Sequence, residues 1–229
     1  MMSLSDTEIS LLQDAEGNHC SSFPTVLLQV MWRAAKLVRP EQLPVGSNPD
    51  PGSLREQVSL LLCEAELFDA HAWATTLQPL SPASDLSPRM HVASAHRIAV
   101  CIYLSRLLLS LDPDTRLSNN LETLVSEAIC HMANIRPCDA LFTATTWPAF
   151  IAGAETDNLQ NRAWIAQRFA ELWEVEPWGT VRGALDVLRD IWLDRDGAMA
   201  YGQNQRRESL HDSNWIARLR QRGVDWLII

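Results

Sequence analysis

The chain has 229 residues, 47% of them hydrophobic, a formal net charge of −9 and an isoelectric point near 5.1. This length and apolar content bury a substantial core in one domain and exclude a small disulfide-stapled or disordered peptide. The acidic field repels phosphate backbones, which argues against a DNA-binding module and against unspecific nucleic-acid binding.

The N-terminal MMSLSDTEIS has no basic stretch leading into an apolar core, so no secretory signal is read there. Ser5 followed by Glu8 has capping-box spacing and predicts a short helix to about Ala15, ended by Gly17 and Asn18. A second helix is predicted from Pro24 to Arg39, with Pro24 suited to a first turn and Arg39 placed before Pro40. Four prolines and two glycines between Pro40 and Ser53 break any helix, so this stretch reads as a surface linker and a domain edge. Ser53 and Glu56 repeat the capping-box spacing and open what reads as one long helix to Leu77, with Leu54, Val58, Leu61, Leu62, Ala65 and Phe68 or Asp69 on one face.

Pro79, Pro82 and Pro88 mark a second loop over Gln78 to Ser87. The helix from about Met90 to Leu111 is apolar nearly all round between Ile98 and Leu104. Its most apolar run, Ile98 to Leu111, contains Arg106 and falls short of the ~20 residues that span a bilayer, so it reads as a central core helix. Asp112-Pro113-Asp114 ends it. Ser118 is predicted to start a helix carrying Leu121, Leu124, Val125, Ala128, Ile129 and Met132, closed by Pro137. Trp147-Pro148 within Leu141 to Gly153 predicts a kinked helix or two short ones.

Two amphipathic helices come next. The first, Asn158 to Val175, carries Ile165, Phe169, Leu172 and Trp173. The second carries Val181, Ala184, Leu185, Leu188, Ile191 and Trp192, with Glu176 to Gly179 as the turn between them. A last helix from Asp212 to Arg222, capped by Asp212 or Ser213 and ended by Gly223, leaves Val224 to Ile229 as an apolar tail. With no alternating run and no hairpin turn, the expected fold is an all-α, multi-helix orthogonal bundle. Residues 1–53 form N-terminal helices and linker, and 54–229 form the main helical domain, continuous with them.

No phosphate-binding glycine loop, nucleophile elbow, His-Glu-x-x-His or Cys-x-x-Cys is present, so the sequence implies no metal and no cofactor. His91 and His96 lie about 140° apart around a helix, too far to share one ion. Cys130 and His131 are adjacent and have no second pair at zinc spacing. The five cysteines are an odd number and widely spaced, three of them in apolar helical runs where thiols pack as small hydrophobes, which fits a reducing compartment. Glu155 and Arg97 border apolar stretches and need charged partners, a structural ion pair being preferred over an acid/base role. Trp147, Trp164, Trp173, Trp178 and Trp192 read as core, with an apolar ligand pocket as the alternative. Arg206, Arg207, Arg218, Arg220 and Arg222 read as a solvated basic face, with contact to nucleic acid or an acidic partner as the alternative.

The stretch TTWPAFIAGAETDNLQNRAWIAQRFAELWEVEPWGTVRGALDVLRDIW, with WPxFxAGxE and then GxVxxAxxxLxxxW, resembles the C-terminal part of the fungal-specific transcription factor domain. The earlier FDAHAWATTLQPLSPASDLSPRMHVASAHRIAVCIYLSRLL is similar to the middle of that domain in regulators resembling acriflavine sensitivity control proteins. The resemblance covers about Leu54 to Trp192 and implies a helical regulatory domain in the nucleus, with the cytoplasm as the alternative. Such proteins generally carry an N-terminal six-cysteine zinc cluster that reads DNA, whereas here Cys20 is the only cysteine in the first sixty residues. The resemblance therefore implies action without direct nucleic-acid or membrane contact, through a protein partner (a zinc-cluster regulator or a second copy) or a small apolar ligand, in control of secondary-metabolite genes. A stand-alone regulator, a fragment and a domain repurposed in metabolism all remain open. Under the last of these, as an enzyme or metabolite-binding protein, His96, Arg97 and Glu155 are the acid/base candidates.

Overall fold

Proline, glycine and capping side chains divide the chain into helices in a computed structural model that describes residues 6–17, 23–37, 51–77, 86–117, 119–201, 214–221 and 223. In chain order these are α1 (Asp6–Gly17), α2 (Thr25–Leu37), α3 (Pro51–Glu66), α4 (Ala70–Leu77), α5 (Leu86–Leu111), α6 (Leu121–Ala133), a 3-10 turn (Phe142–Thr145), α7 (Thr146–Glu155), α8 (Leu159–Val175), α9 (Gly179–Tyr201) and α10 (Trp215–Gln221). The chain is an all-α bundle, with no strand among the described residues.

The single helix expected from Ser53 to Leu77 is two. Asp69 breaks it by accepting hydrogen bonds on one carboxylate oxygen from the amides of His71 and Ala72, both at 2.9 Å, which caps a new helix start. The two expected short elements around Trp147-Pro148 are the 3-10 turn and α7. Pro148 is the third residue of α7, where an amide has no intrahelical acceptor to lose. Asn120 caps α6 through the amide of Glu122 at 2.9 Å, two residues later than the Ser118 start expected. The α9 helix runs nine residues beyond Trp192. Asn214 caps α10 through the amide of Ala217 at 3.3 Å, and Gly223 ends it at φ +69°; the expected caps Asp212 and Ser213 lie outside the described residues. Of the linker expected from Pro40 to Ser53, residues 51–53 are the first turn of α3, where Pro51 has no intrahelical amide bond to lose, so Ser53 lies inside the helix and does not cap it. Residues 40–50, Ser5, residues 78–85 of the expected loop and the tail at 224–229 lie outside the described residues.

The hub is α5. From Val92 to Leu108 only Arg97 and Arg106 are not fully buried, because α2, α3 and α4 pack along it together with α6 and α7. By length and composition α5 could cross a membrane, but 83% of its most apolar window is covered by the rest of the protein. A second layer forms where α7, buried from Pro148 to Glu155, touches α6, α8 and α9. Buried apolar residues from Leu27 to Leu219 form one contiguous cluster, with Trp215, Ile216 and Leu219 of α10 as its last members.

Candidate functional site

A dense polar cluster sits where α7 ends against α5, α8, α9 and α10. A helix end leaves its last carbonyls without internal partners, and burial makes that costly. Here tryptophan and arginine side chains fill the need. Trp192 Nε1 donates to the Gly153 carbonyl at 2.8 Å, Arg195 donates to the Glu155 carbonyl at 3.2 Å, and Arg162 Nε donates to the Thr156 carbonyl at 3.2 Å. Both guanidinium groups are buried and lie at the negative end of the α7 dipole. Asp157 accepts from Arg162 at 3.1 Å and from Arg195 at 3.2 Å, while Asp196 accepts from Arg162 at 2.8 Å. Burial lowers the Arg195 pKa, and the nearby Asp157 and Glu155 oppose that shift.

One side of this cluster is tied to α6: Thr156 Oγ1 and Asn161 Nδ2 donate to Glu122 Oε1 at 2.6 and 2.8 Å. Asn158 then caps α8 through the amides of Gln160 and Asn161. Gly153 is fixed by close approach, since a Cβ there would lie 2.9 Å from Ile165 Cγ2 and 3.0 Å from Leu188 Cδ1.

Glu155 is 6% exposed and fully engaged. Arg106 of α5 donates to it through Nε at 3.0 Å and through Nη2, and Trp215 Nε1 of α10 donates at 2.9 Å. The charged partner expected for Glu155 is thus Arg106. Arg97 pairs instead with Glu127 at 3.3 Å and donates to the Glu66 carbonyl at 3.4 Å. His96 is buried with its Nδ1 2.9 Å from the Val92 carbonyl, in edge contact with Phe23 at 4.4 Å and stacked on Trp147 at 6.0 Å. Burial pulls its pKa down to about 4, so the ring is neutral at pH 7. The three acid/base candidates have three separate sets of partners.

Sequence spacing set His91 against His96 and His131 against Cys130, and missed the pairing that forms across helices. His91 and His131 meet Nδ1 to Nδ1 at 2.9 Å. One ring must donate and the other accept, so at least one is neutral; burial lowers both pKa values, with each ring's proximity adding to the effect at His131. No group of three His, Cys, Asp or Glu side chains able to hold a metal ion occurs among the described residues. Among the described cysteines only Cys101 packs as a buried thiol, its pKa pushed up to about 12 by desolvation, whereas Cys63, Cys130 and Cys138 are exposed. An apolar run flanks Cys63 and Cys130 in sequence, but each falls on the solvent side of its helix turn.

The sequence matches the family described as "Fungal specific transcription factor domain" over residues 28–229. The chain belongs to that family. It is 32% identical over 227 residues to the acriflavine sensitivity control protein acr-2 of Neurospora crassa, covering 96% of this chain and 36% of that protein. The chain therefore spans about a third of that relative's length. No solved structure matches.

In this member of the fungal transcription factor domain family, the WPxFxAGxE motif is the architecture of the α7 junction. Trp147 packs on Phe23 and His96, Phe150 is buried edge-on to Trp215, Gly153 admits Ile165 and Leu188, and Glu155 ties α5 to α10. In the GxVxxAxxxLxxxW segment, Val181, Ala184 and Leu188 are buried and Trp192 caps α7. The five tryptophans singled out in the sequence do not converge. Trp147 and Trp192 belong to the junction, Trp164 lies against Arg168 at 4.9 Å, Trp173 faces Arg182 at 5.8 Å, and Trp178 is 63% exposed. Of the C-terminal arginines, Arg218 pairs with Asp194 at 3.0 Å. Arg206, Arg207 and Arg222 lie outside the described residues.

Proposed function

We propose that this chain is a regulatory module of fungal transcription that acts in the nucleus through a protein partner or a small ligand, with DNA contact supplied by the partner. The observation that carries this reading is the closed state of the α7 junction. Glu155 of the WPxFxAGxE motif is engaged with Arg106 in joining helices, and Arg162 and Arg195 close the same junction, so the motif holds the fold and leaves the work to surfaces. The partner that brings the DNA contact is a zinc-cluster regulator, which this chain joins singly or as a dimer with another copy of itself, and the genes it controls belong to secondary metabolism. The net charge of −9 supports assigning the DNA contact elsewhere. Binding would act by shifting the population of helical arrangements in the bundle.

Tethering tests it. The chain is fused to a DNA-binding domain of known specificity in a fungal host, and transcription of a reporter carrying the matching sites is measured. A change in reporter output, up or down, that vanishes when Glu155→Gln and Arg106→Ala are combined is the expected result. Unchanged output from a fusion that is expressed, folded and nuclear would overturn the proposal.

A further inference from the structure

The groove between the end of α6 and the outer side of α8 holds a buried cation with no hydrogen-bonded anion. Arg168 is 5% exposed, sandwiched between Phe142 at 4.6 Å and Trp164 at 4.9 Å. Its two Nη groups donate to the carbonyls of Ile135 at 3.0 Å and Met132 at 2.7 Å, which close the C-terminus of α6. Its Nε proton is buried and finds no acceptor among the described residues. The nearest carboxylate oxygen, on Glu171, stands 3.9 Å away, beyond hydrogen-bond reach. Carbonyl dipoles thus meet part of the demand of this guanidinium, and its charge is left without a bonded counter-ion.

A cavity of about 230 Å³ opens at this point, lined by Ile135, Pro137 and Trp164 as apolar walls and by Arg136, Arg168 and Glu171 as charged ones. Two cations face one anion across it. Arg136 is 75% exposed and held only loosely, with Asp139 at 3.8 Å. The volume lies below the ~300 Å³ at which drug-sized pockets begin, so the occupant is small. Trp164 and Pro137 offer flat apolar contact, and Arg168 and Arg136 offer charge-assisted donors for a planar acid.

We propose that this groove binds a small aromatic carboxylate, its ring against Trp164 and its carboxylate between Arg168 and Arg136 in the place Glu171 now approaches. The proposal rests on the ligand-responsive part of the regulatory reading and names the ligand class. It is read from binding to the purified chain, so its failure leaves the tethering result standing, and the reverse also holds.

The test is isothermal titration of the full chain with 2-naphthoate and with the neutral 2-naphthamide, and then ligand-observed NMR. The acid is expected to bind at least about tenfold more tightly than the amide. Arg136→Gln weakens the acid and leaves the amide unchanged. Glu171→Gln tightens the acid severalfold by removing the competing carboxylate, and Trp164→Leu weakens both. Arg136 and Glu171 are partly exposed, so their variants keep the fold, and Arg189→Gln on α9 serves as an unaffected control. Equal affinity for acid and amide, or acid binding indifferent to both Arg136→Gln and Glu171→Gln, would show unspecific apolar binding that does not read the charge and would overturn the proposal. Absence of saturable binding at millimolar acid would do the same.

Discussion

At Gly153 a single methyl group decides whether α7 can lie against α8 and α9. An added Cβ meets Ile165 Cγ2 at 2.9 Å and Leu188 at 3.0 and 3.2 Å, and both neighbours are 0% exposed with no room to withdraw. Overpacking of this kind costs about 1–3 kcal/mol, offset by up to about 1 kcal/mol of helix propensity gained over glycine. Gly153→Ala is therefore expected to lower the urea midpoint with an unchanged m value; a midpoint at or above that of the parent would contradict the packing. His96 carries a different cost. It is neutral in the fold with a pKa near 4, against 6.5 when free. Below pH 6.5 the unfolded chain takes up a proton that the folded chain refuses until about pH 4, so stability present above 6.5 drains away between those values. At about 1.4 kcal/mol per unit, the loss is on the order of 3 kcal/mol, and the lowered values of His91 and His131 act in the same direction. His96→Gln should flatten the fall in unfolding free energy from pH 6.5 to 4, and identical slopes in the two proteins would show that His96 does not titrate as described.

Between elements, Glu155 ties α5 to α10 through a buried ion pair with Arg106 and a hydrogen bond from Trp215. Arg106→Ala leaves Glu155 buried with Trp215 as its one remaining side-chain donor, a loss expected at about 3–5 kcal/mol. Adding Glu155→Gln should recover part of that loss, because the orphaned charge goes with it; additive single effects in a double-mutant cycle would deny the coupling. That Glu155 needed a cation was legible from its place after an apolar run. Which of eighteen arginines supplies it was not, because Arg106 is 49 residues away and carries no local signal. The same limit hid the His91–His131 contact, formed across 40 residues. Proline and apolar period made α2, α5, α7 and α8 readable. The α3–α4 break was missed because Asp69 falls at a helical position of the apolar stripe, and its capping role emerges only when its carboxylate turns back onto the amides of His71 and Ala72. The family motif was legible as pattern, while its role as a helix junction needed the partners brought in by α5, α9 and α10.

Across the whole molecule, the proline-rich stretch at 40–53 reads as a domain edge, yet the helices on its two sides share one core. In α2, Leu27, Val30 and Met31 are buried in the same cluster as Val58, Leu61 and Leu62 of α3 and the apolar residues of α5. Each of these α2 side chains contributes about 1.5–3 kcal/mol by burial. That gross gain is offset in part by the entropy of ordering α2, yet it is large beside a typical domain's net stability of about 5–15 kcal/mol, so its loss is felt. Glu16 of α1 adds a buried polar tie, accepting from the amide and hydroxyl of Thr25 at 2.9 Å and from Trp73 Nε1 of α4 at 2.5 Å. Removing residues 1–50 would bare the α2-facing side of α3 and α5 and release Trp73 from its acceptor. The full chain is expected to unfold in one transition seen alike by near- and far-ultraviolet circular dichroism. The truncated chain should keep much of its helical signal, lose its near-ultraviolet tryptophan signal and bind a hydrophobic dye, as compact states without fixed packing do. A truncated chain that kept the native near-ultraviolet spectrum and the parent midpoint would instead make 51–229 a domain in its own right, with α1 and α2 docked on it as a separable arm.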